Sequence, residues 1–171
     1  MSPEQIGSLA AVSRLRGEIV ADRRSLRAHE REAGVLAHGW SAAPSPGDIA
    51  RAAVALHAWY TGLETLLERV ARQLDLSVPK SNEWHRELLS QCSVEIAQVR
   101  PAVLPSELFG ELTPLLSFRH FFRHAYAVEL DPVQLATQLN RLLAVAPKVT
   151  TALDLFDRFL ADVISQLSAN P

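Results

Sequence analysis

The spacing of apolar residues between Ile49 and Leu74 constrains the fold more than any other feature of this sequence. Apolar side chains recur there every three or four residues, at Ile49, Ala52, Leu56, Trp59, Leu63, Leu66, Val70 and Leu74. This period places them on one face of a helix, whereas a half-buried strand would alternate apolar and polar residues. Nearly every other segment has the same helical period and none alternates, so the sequence predicts an all-α protein.

Proline residues that follow a capping side chain mark three helix starts, at Ser45-Pro46, Thr113-Pro114 and Asp131-Pro132. Proline suits the first helical position because a backbone N–H there would have no helical partner, so its absence costs nothing. The helix from Ser45 is predicted to reach about Leu76, and the next one to cover residues 83–99. Pro147 is expected to kink or split the last helix.

The chain of 171 residues is predicted to form a single domain over residues 1–171. We expect a long first helix over about 3–36, a linker at 40–47 and a core bundle over 46–168. The fold class is therefore an antiparallel bundle of about five helices. The second half of the first helix, RRSLRAHEREAG, is mostly charged, and we expect it to project past the core or lie against a partner.

Composition limits the function classes that fit the chain. Its net charge is -2, so an anionic partner must be bound by a local basic patch. The single cysteine, Cys92, precludes an internal disulfide and fits a small buried side chain in the reducing cytoplasm. No segment has the length of uncharged apolar sequence that crosses a membrane, and the first residues lack the basic start of a signal peptide. The sequence therefore predicts a cytoplasmic protein without a membrane partner.

The stretch SFRHFFRHAY, residues 117–126, concentrates polar chemistry on one predicted helix. At about 100° per residue, five polar side chains fall on one arc, namely Arg119, His120, Arg123, His124 and Tyr126. The opposite arc is apolar and comprises Phe118, Phe121, Phe122, Ala125 and Val128. We expect the apolar side to pack into the bundle and the polar side to face outward, bordered by exposed Leu115 and Leu116.

Arginine and histidine together supply what phosphodiester cleavage without a metal requires. A guanidinium binds phosphate oxygens through paired hydrogen bonds, and an imidazole takes or gives a proton near neutral pH. A solvated basic surface is the plain alternative. His120 and His124 are spaced to share a metal ion, but the H-E-x-x-H pattern is absent and an arginine between them would repel a cation. We predict no metal and no cofactor.

The pattern Arg119-x4-His124-x-Tyr126 resembles the R-x4-6-H motif of the HEPN superfamily, in the R-x4-H-x-Y form of HepT-type toxins. The position after the arginine is often asparagine in that motif and is His120 here. The segments HAWYTGLETLLERVARQLD, WHRELL and FRHFFRHAYAVELDPVQL are also similar to HepT-like helices. The resemblance extends from about Ile49 to the C-terminus.

The resemblance implies a fold, an activity and partners. HEPN domains are helical bundles that pair as homodimers, with two motif helices forming one composite cleft. Many members are metal-independent endoribonucleases that cut RNA through attack by the neighbouring 2'-hydroxyl. HepT-type toxins accompany a minimal nucleotidyltransferase antitoxin, which can AMPylate the motif tyrosine. The chain is thus expected to be a homodimeric ribonuclease toxin with RNA and such an antitoxin as partners.

The resemblance also assigns roles to individual residues. Arg119 would bind the scissile phosphate and His124 would be the catalytic acid or base. His120 would shape the site, and Tyr126 would be the candidate modification site. Arg123 lies outside the defining motif, but its position on the same arc makes it a second candidate phosphate contact.

Two other functions also fit the sequence. The chain could be a non-catalytic HEPN-like module that binds nucleotides, RNA or a protein, or a structural dimerising bundle whose basic arc is a polar interface. We interpret His85 as a capping or surface residue. Asp154, Asp157 and Asp162 are interpreted as part of a solvated face.

Overall fold

The computed structural model describes residues 2–124 and 129–169. Within these ranges the chain forms five α-helices: α1 (Pro3–His38), α2 (Pro46–Val70), α3 (Trp84–Cys92), α4 (Leu108–His124) and α5 (Pro132–Ala169). The described residues contain no strand, and their only β-type pairing is an isolated bridge between Ile96 and Arg100. The predicted all-α bundle of about five helices is confirmed.

Local capping signals fix the starts of the first two helices. The Ser2 hydroxyl accepts a hydrogen bond from the Gln5 backbone N–H, and the Gln5 side chain accepts one from the Ser2 N–H. Ser45 accepts from the Asp48 N–H at 3.1 Å, as its sequence context predicts. After α2 the backbone continues as a π-helical turn, Ala71–Asp75, which stops at a left-handed Leu76 with φ 54°.

Leucine, alanine and aromatic side chains form the core. They fill the space between α2 and the two longest helices, α1 and α5. Trp59 of α2 is completely buried, and its indole N–H donates to the Glu30 carboxylate of α1 at 2.9 Å. Tyr60 and Cys92 are buried as well. None of the helices in the described ranges is long and apolar enough to cross a membrane.

The charged second half of α1 does not project past the core, so that alternative was wrong, and its contact with a partner stays a prediction. Leu26 and Ala33 of this segment are buried in the core, as is Leu36 just after it. Its charges are placed where other helices supply partners, since Arg23 pairs with Asp154 of α5.

Two of the α5 aspartates that were assigned to a solvated face form ion pairs with α1. Asp157 accepts two hydrogen bonds from Arg16, at 2.8 and 3.0 Å, and Asp154 pairs with Arg23. The Arg16 guanidinium holds the pKa of the Asp157 carboxyl below its usual range. These aspartates therefore help to attach α1 to α5.

Two predicted helix boundaries were wrong. The motif helix α4 begins at Leu108, so Pro114 lies inside it and not at its start. The third helix ends at Cys92, because the chain then turns to bring Arg100 against Asp75, with nitrogen–oxygen distances of 2.6 and 2.7 Å. Pro147 lies inside α5, which is one helix over Pro132–Ala169, so the predicted split was wrong, and the alternative, a kink at Pro147, stays a prediction.

Candidate functional site

The motif helix α4 lies in the bundle against α2, α3 and α5. Because three helices pack around α4, more than one of its faces is buried. Leu115 and Leu116 are among the buried residues. The prediction that these leucines border the polar arc as exposed residues was wrong. Phe118 packs into the core as predicted, whereas Phe121 is 44% exposed.

The exposed end of α4 carries three of the five predicted polar side chains. His120, Arg123 and His124 are all exposed, which confirms the outward orientation predicted for them. The rings of His120 and His124 are in contact at a tilt of 43°, with centroids 4.8 Å apart. Tyr126, like Ala125 and Val128, lies outside the described residues.

Arg119 departs from the predicted arc, because it is only 6% exposed. One terminal nitrogen of its guanidinium donates to Glu64 Oε2 of α2 at 2.9 Å, and the other approaches His85 Nε2 of α3 at 3.0 Å. His85 Nδ1 lies 2.6 Å from Glu64 Oε1 and closes the ring of contacts. We call these three residues the Arg119 cluster.

Glu64 and His85 were not among the predicted site residues. The interpretation of His85 as a capping or surface residue was wrong, because its side chain is 11% exposed and the position that caps α3 is Glu83. A signal for Glu64 was present in the sequence. It stands in the buried stripe of α2, four residues after Tyr60 and three before Leu67, and a carboxylate at core spacing requires a cationic partner.

The hydrogen bonds of the Arg119 cluster define its protonation state. A guanidinium only donates, so His85 Nε2 must accept, and the neutral ring then carries its proton on Nδ1 and donates to Glu64. Burial, followed by the charges of Arg119 and His120, lowers the pKa of His85 to about 4. Burial raises the pKa of Glu64 to about 7, and the Arg119 charge acts in the opposite direction. Because both Glu64 oxygens accept hydrogen bonds, the geometry favours the carboxylate.

Two nitrogen atoms in this region are buried without a hydrogen-bond partner among the described residues: Arg119 Nε and His57 Nδ1. His57 belongs to α2, and its ring packs against Phe122 with centroids 5.4 Å apart. Burial and then the charge of Arg119 lower the pKa of His57. An unpartnered buried donor is costly, so the Arg119 Nε–H is a candidate for binding an acceptor from outside the chain.

His124 is prepared to accept a proton. Its Nδ1 lies 2.9 Å from the backbone oxygen of His120, and because a carbonyl only accepts, Nδ1 must be the donor. In the neutral ring the proton therefore resides on Nδ1 and the lone pair on Nε2. Nε2 has no partner among the described residues, and an exposed imidazole with such a lone pair can act as a general base.

The described residues contain no group of three or more His, Cys, Asp and Glu side chains that could hold a metal ion. His120 and His124 are close, but His124 Nδ1 is occupied by a backbone oxygen. The absence of a metal from the site stays a prediction.

We expect nitrogen-15 NMR to show that His85 remains neutral, with its proton on Nδ1, from neutral pH down to about pH 5. An unfolded chain would protonate this ring below about pH 6.5, so its buried state makes the folded protein less stable as the pH falls from about 6.5 towards 4. Replacing Arg119 with methionine removes one cause of the shift and should raise the pKa of His85. Protonation of the wild-type ring at about pH 6 would contradict this assignment.

Comparison with known protein families matches residues 51–160, more than half of the chain, to the family described as HepT-like protein. The matched range contains all three residues of the Arg119 cluster and the exposed end of α4. Comparisons with curated proteins and with solved structures found no match.

Proposed function

This chain belongs to the HepT-like protein family of HEPN-type toxin modules, and on that premise we propose that it is a metal-independent endoribonuclease. RNA would be cut by attack of a 2'-hydroxyl on the adjacent phosphate. The site would be a cleft between two copies of the chain, formed by the exposed ends of both α4 helices. Arg119 and His124 would be its catalytic residues, and His120 and Arg123 its supporting residues.

The observation that carries the proposal is the state of His124. Its free Nε2 lone pair can take the proton of the attacking 2'-hydroxyl. In a homodimer the second copy's His124, in its protonated form, would give a proton to the departing 5'-oxygen. The products would be a 2',3'-cyclic phosphate and a free 5'-hydroxyl, which accounts for both protons without water or metal.

The charge around His124 supports an anionic substrate. Arg123 is exposed one helical position before it, whereas the charge of Arg119 is balanced by Glu64. A single protomer therefore offers RNA one arginine at its surface from this helix. A second copy would double that charge in one cleft, which explains how a chain of net charge -2 could bind RNA.

Regulation by a partner is part of the proposal. We infer that a minimal nucleotidyltransferase antitoxin transfers AMP from ATP to the hydroxyl of Tyr126, two residues after His124, with release of pyrophosphate. The added group would bring negative charge and bulk close in sequence to His124 and so prevent RNA binding. Both proteins would act in the cytoplasm.

One observation favours a second candidate function, a non-catalytic HEPN-like module that binds RNA, nucleotides or a protein. Arg119 is buried and charge-paired, so one of the two motif side chains does not face solvent. In such a module Arg123 and His120 would bind phosphate, and no bond would be cleaved.

Incubation of purified protein with total cellular RNA in EDTA distinguishes the two functions. We expect cleavage that leaves 2',3'-cyclic phosphate ends, and none of DNA, which lacks the attacking hydroxyl. Protein produced together with a nucleotidyltransferase encoded by an adjacent gene should carry the mass of AMP and lose this activity. Binding of RNA without cleavage, by protein whose mass shows no added AMP, would favour the binding module.

A further inference from the structure

We propose that Glu64 and His85 are positioning residues of the ribonuclease site, which orient Arg119 so that its Nε–H edge is the one that meets an RNA phosphate. The inference rests on the proposed function. It adds two residues, from α2 and α3, that lie far from the motif in sequence and that do not themselves contact RNA.

The contacts of Arg119 determine which edge of its guanidinium is available. A guanidinium can bind an oxyanion through its two terminal nitrogens or through Nε and one terminal nitrogen. Glu64 and His85 each engage one terminal nitrogen, at 2.9 and 3.0 Å. Nε has no partner among the described residues although it is buried. Nε, on the side edge, is thus the one guanidinium nitrogen that has no partner among the described residues.

The cluster also limits the motion of Arg119. Its three contacts join α2, α3 and α4 into a closed ring, and the Glu64 and Arg119 side chains are nearly fully buried. A long side chain that is already fixed loses less rotamer freedom when it binds a phosphate. Arg119 lies one helical turn before Arg123, so the two side chains are neighbours on α4.

His85 can be tested more specifically than Glu64, because its two ring nitrogens have different hydrogen-bond roles. Nε2 accepts from Arg119, and Nδ1 donates to Glu64. In His85→Gln the side-chain oxygen can replace Nε2 as the acceptor for Arg119. In His85→Asn the shorter amide can replace only the donor to Glu64, and Arg119 loses its acceptor.

The experiment compares both variants with wild type in two assays. Single-turnover cleavage of a labelled single-stranded RNA of mixed sequence measures catalysis. Binding of a 2'-O-methylated copy of that RNA, which cannot be cleaved by 2'-hydroxyl attack, measures affinity. Arg158→Ala, an exposed arginine of α5, is the surface control.

We expect His85→Asn to lower the cleavage rate about tenfold or more, with affinity within about twofold of wild type. His85→Gln should recover most of the rate. Equal losses in the two variants, or no loss in His85→Asn, would overturn the proposal, since a merely structural role predicts no difference between them. Far-UV circular dichroism verifies the fold of each.

If His85→Asn does not fold, Glu64→Gln replaces it. An amide N–H facing His85 forces the ring into the other tautomer, whose Nε2–H then opposes Arg119. The same loss of rate with unchanged affinity is expected, and an unchanged rate would overturn the proposal.

If wild-type protein cleaves no RNA, the ribonuclease function fails, and NMR decides the positioning separately. Titration with inorganic phosphate should shift the Arg119 Nε–H resonance in wild type and His85→Gln but not in His85→Asn. An unshifted wild-type resonance, or an equal shift in His85→Asn, would show that the cluster does not direct this edge towards phosphate.

Discussion

Replacing His124 with alanine is expected to lower the rate of RNA cleavage by roughly two to four orders of magnitude, the usual contribution of a general acid or base. In the proposed homodimer the substitution removes both the proton acceptor and the proton donor, which places the expected loss at the upper end. The side chain is exposed, and its hydrogen bond and ring contact are both to His120. The fold should therefore be unaffected.

Single-turnover rates in EDTA measure this effect, with two other histidines as comparisons. His120→Ala should lower the cleavage rate less than His124→Ala does, because His120 faces His124 but has no proton-transfer step in the proposed mechanism. His38→Ala, an exposed histidine in the last turn of α1, should have no effect. Affinity for 2'-O-methylated RNA should persist in His124→Ala. An undiminished rate in that variant would exclude the proposed mechanism.

The helices that local signals define were predictable from the sequence, and those that depend on tertiary packing were not. The apolar stripe of α2 and its Ser45 cap are properties of neighbouring residues, and both were predicted correctly. Thr113-Pro114 has the same form as a helix start but lies inside α4. Pro114 leaves the Gly110 carbonyl without its helical donor, and the burial of Leu112 and Leu115 compensates for this.

In the candidate site, too, the features set by local sequence were predictable and those set by tertiary packing were not. A helical wheel places residues on faces of one helix, and it predicted the exposure of His120, Arg123 and His124. It contains no information about which helices pack against that one. Arg119 is buried because α2 and α3 bring Glu64 and His85 to it from 55 and 34 residues away in the chain.

This burial changes how charge in the motif must be interpreted. Arg119 and Arg123 are the same residue type on the same helix. Of the two, Arg123 is the one whose charge lies at the surface without a carboxylate partner among the described residues. Electrostatic attraction of RNA would then depend on Arg123, and orientation of the reacting phosphate on Arg119. A plot of log RNA affinity against log salt concentration should therefore change differently when each arginine is replaced. Its slope should decrease more in Arg123→Ala than in a variant of Arg119.

Replacing Arg119 with methionine is expected to lower the free energy of unfolding by about 3–5 kcal/mol, the usual cost of removing one partner from a buried ion pair. The Arg119 and Glu64 side chains are 8% and 7% exposed, so the carboxylate left behind must either take up a proton or open the bundle to regain its hydration, and both cost free energy. Chemical unfolding in urea, followed by far-UV circular dichroism, measures this change.

Arg69→Met is the matched control, because Arg69 also bonds two partners on a neighbouring helix, Glu18 and Asp22, but is 38% exposed. Its loss should cost at most about 1 kcal/mol, since water hydrates the remaining carboxylates. The double variant Glu64→Leu with Arg119→Met should regain much of the lost stability, because no uncompensated charge remains buried. Equal destabilisation by Arg119→Met and Arg69→Met would mean that water reaches Glu64, and that the Arg119 cluster is an exposed network of modest strength.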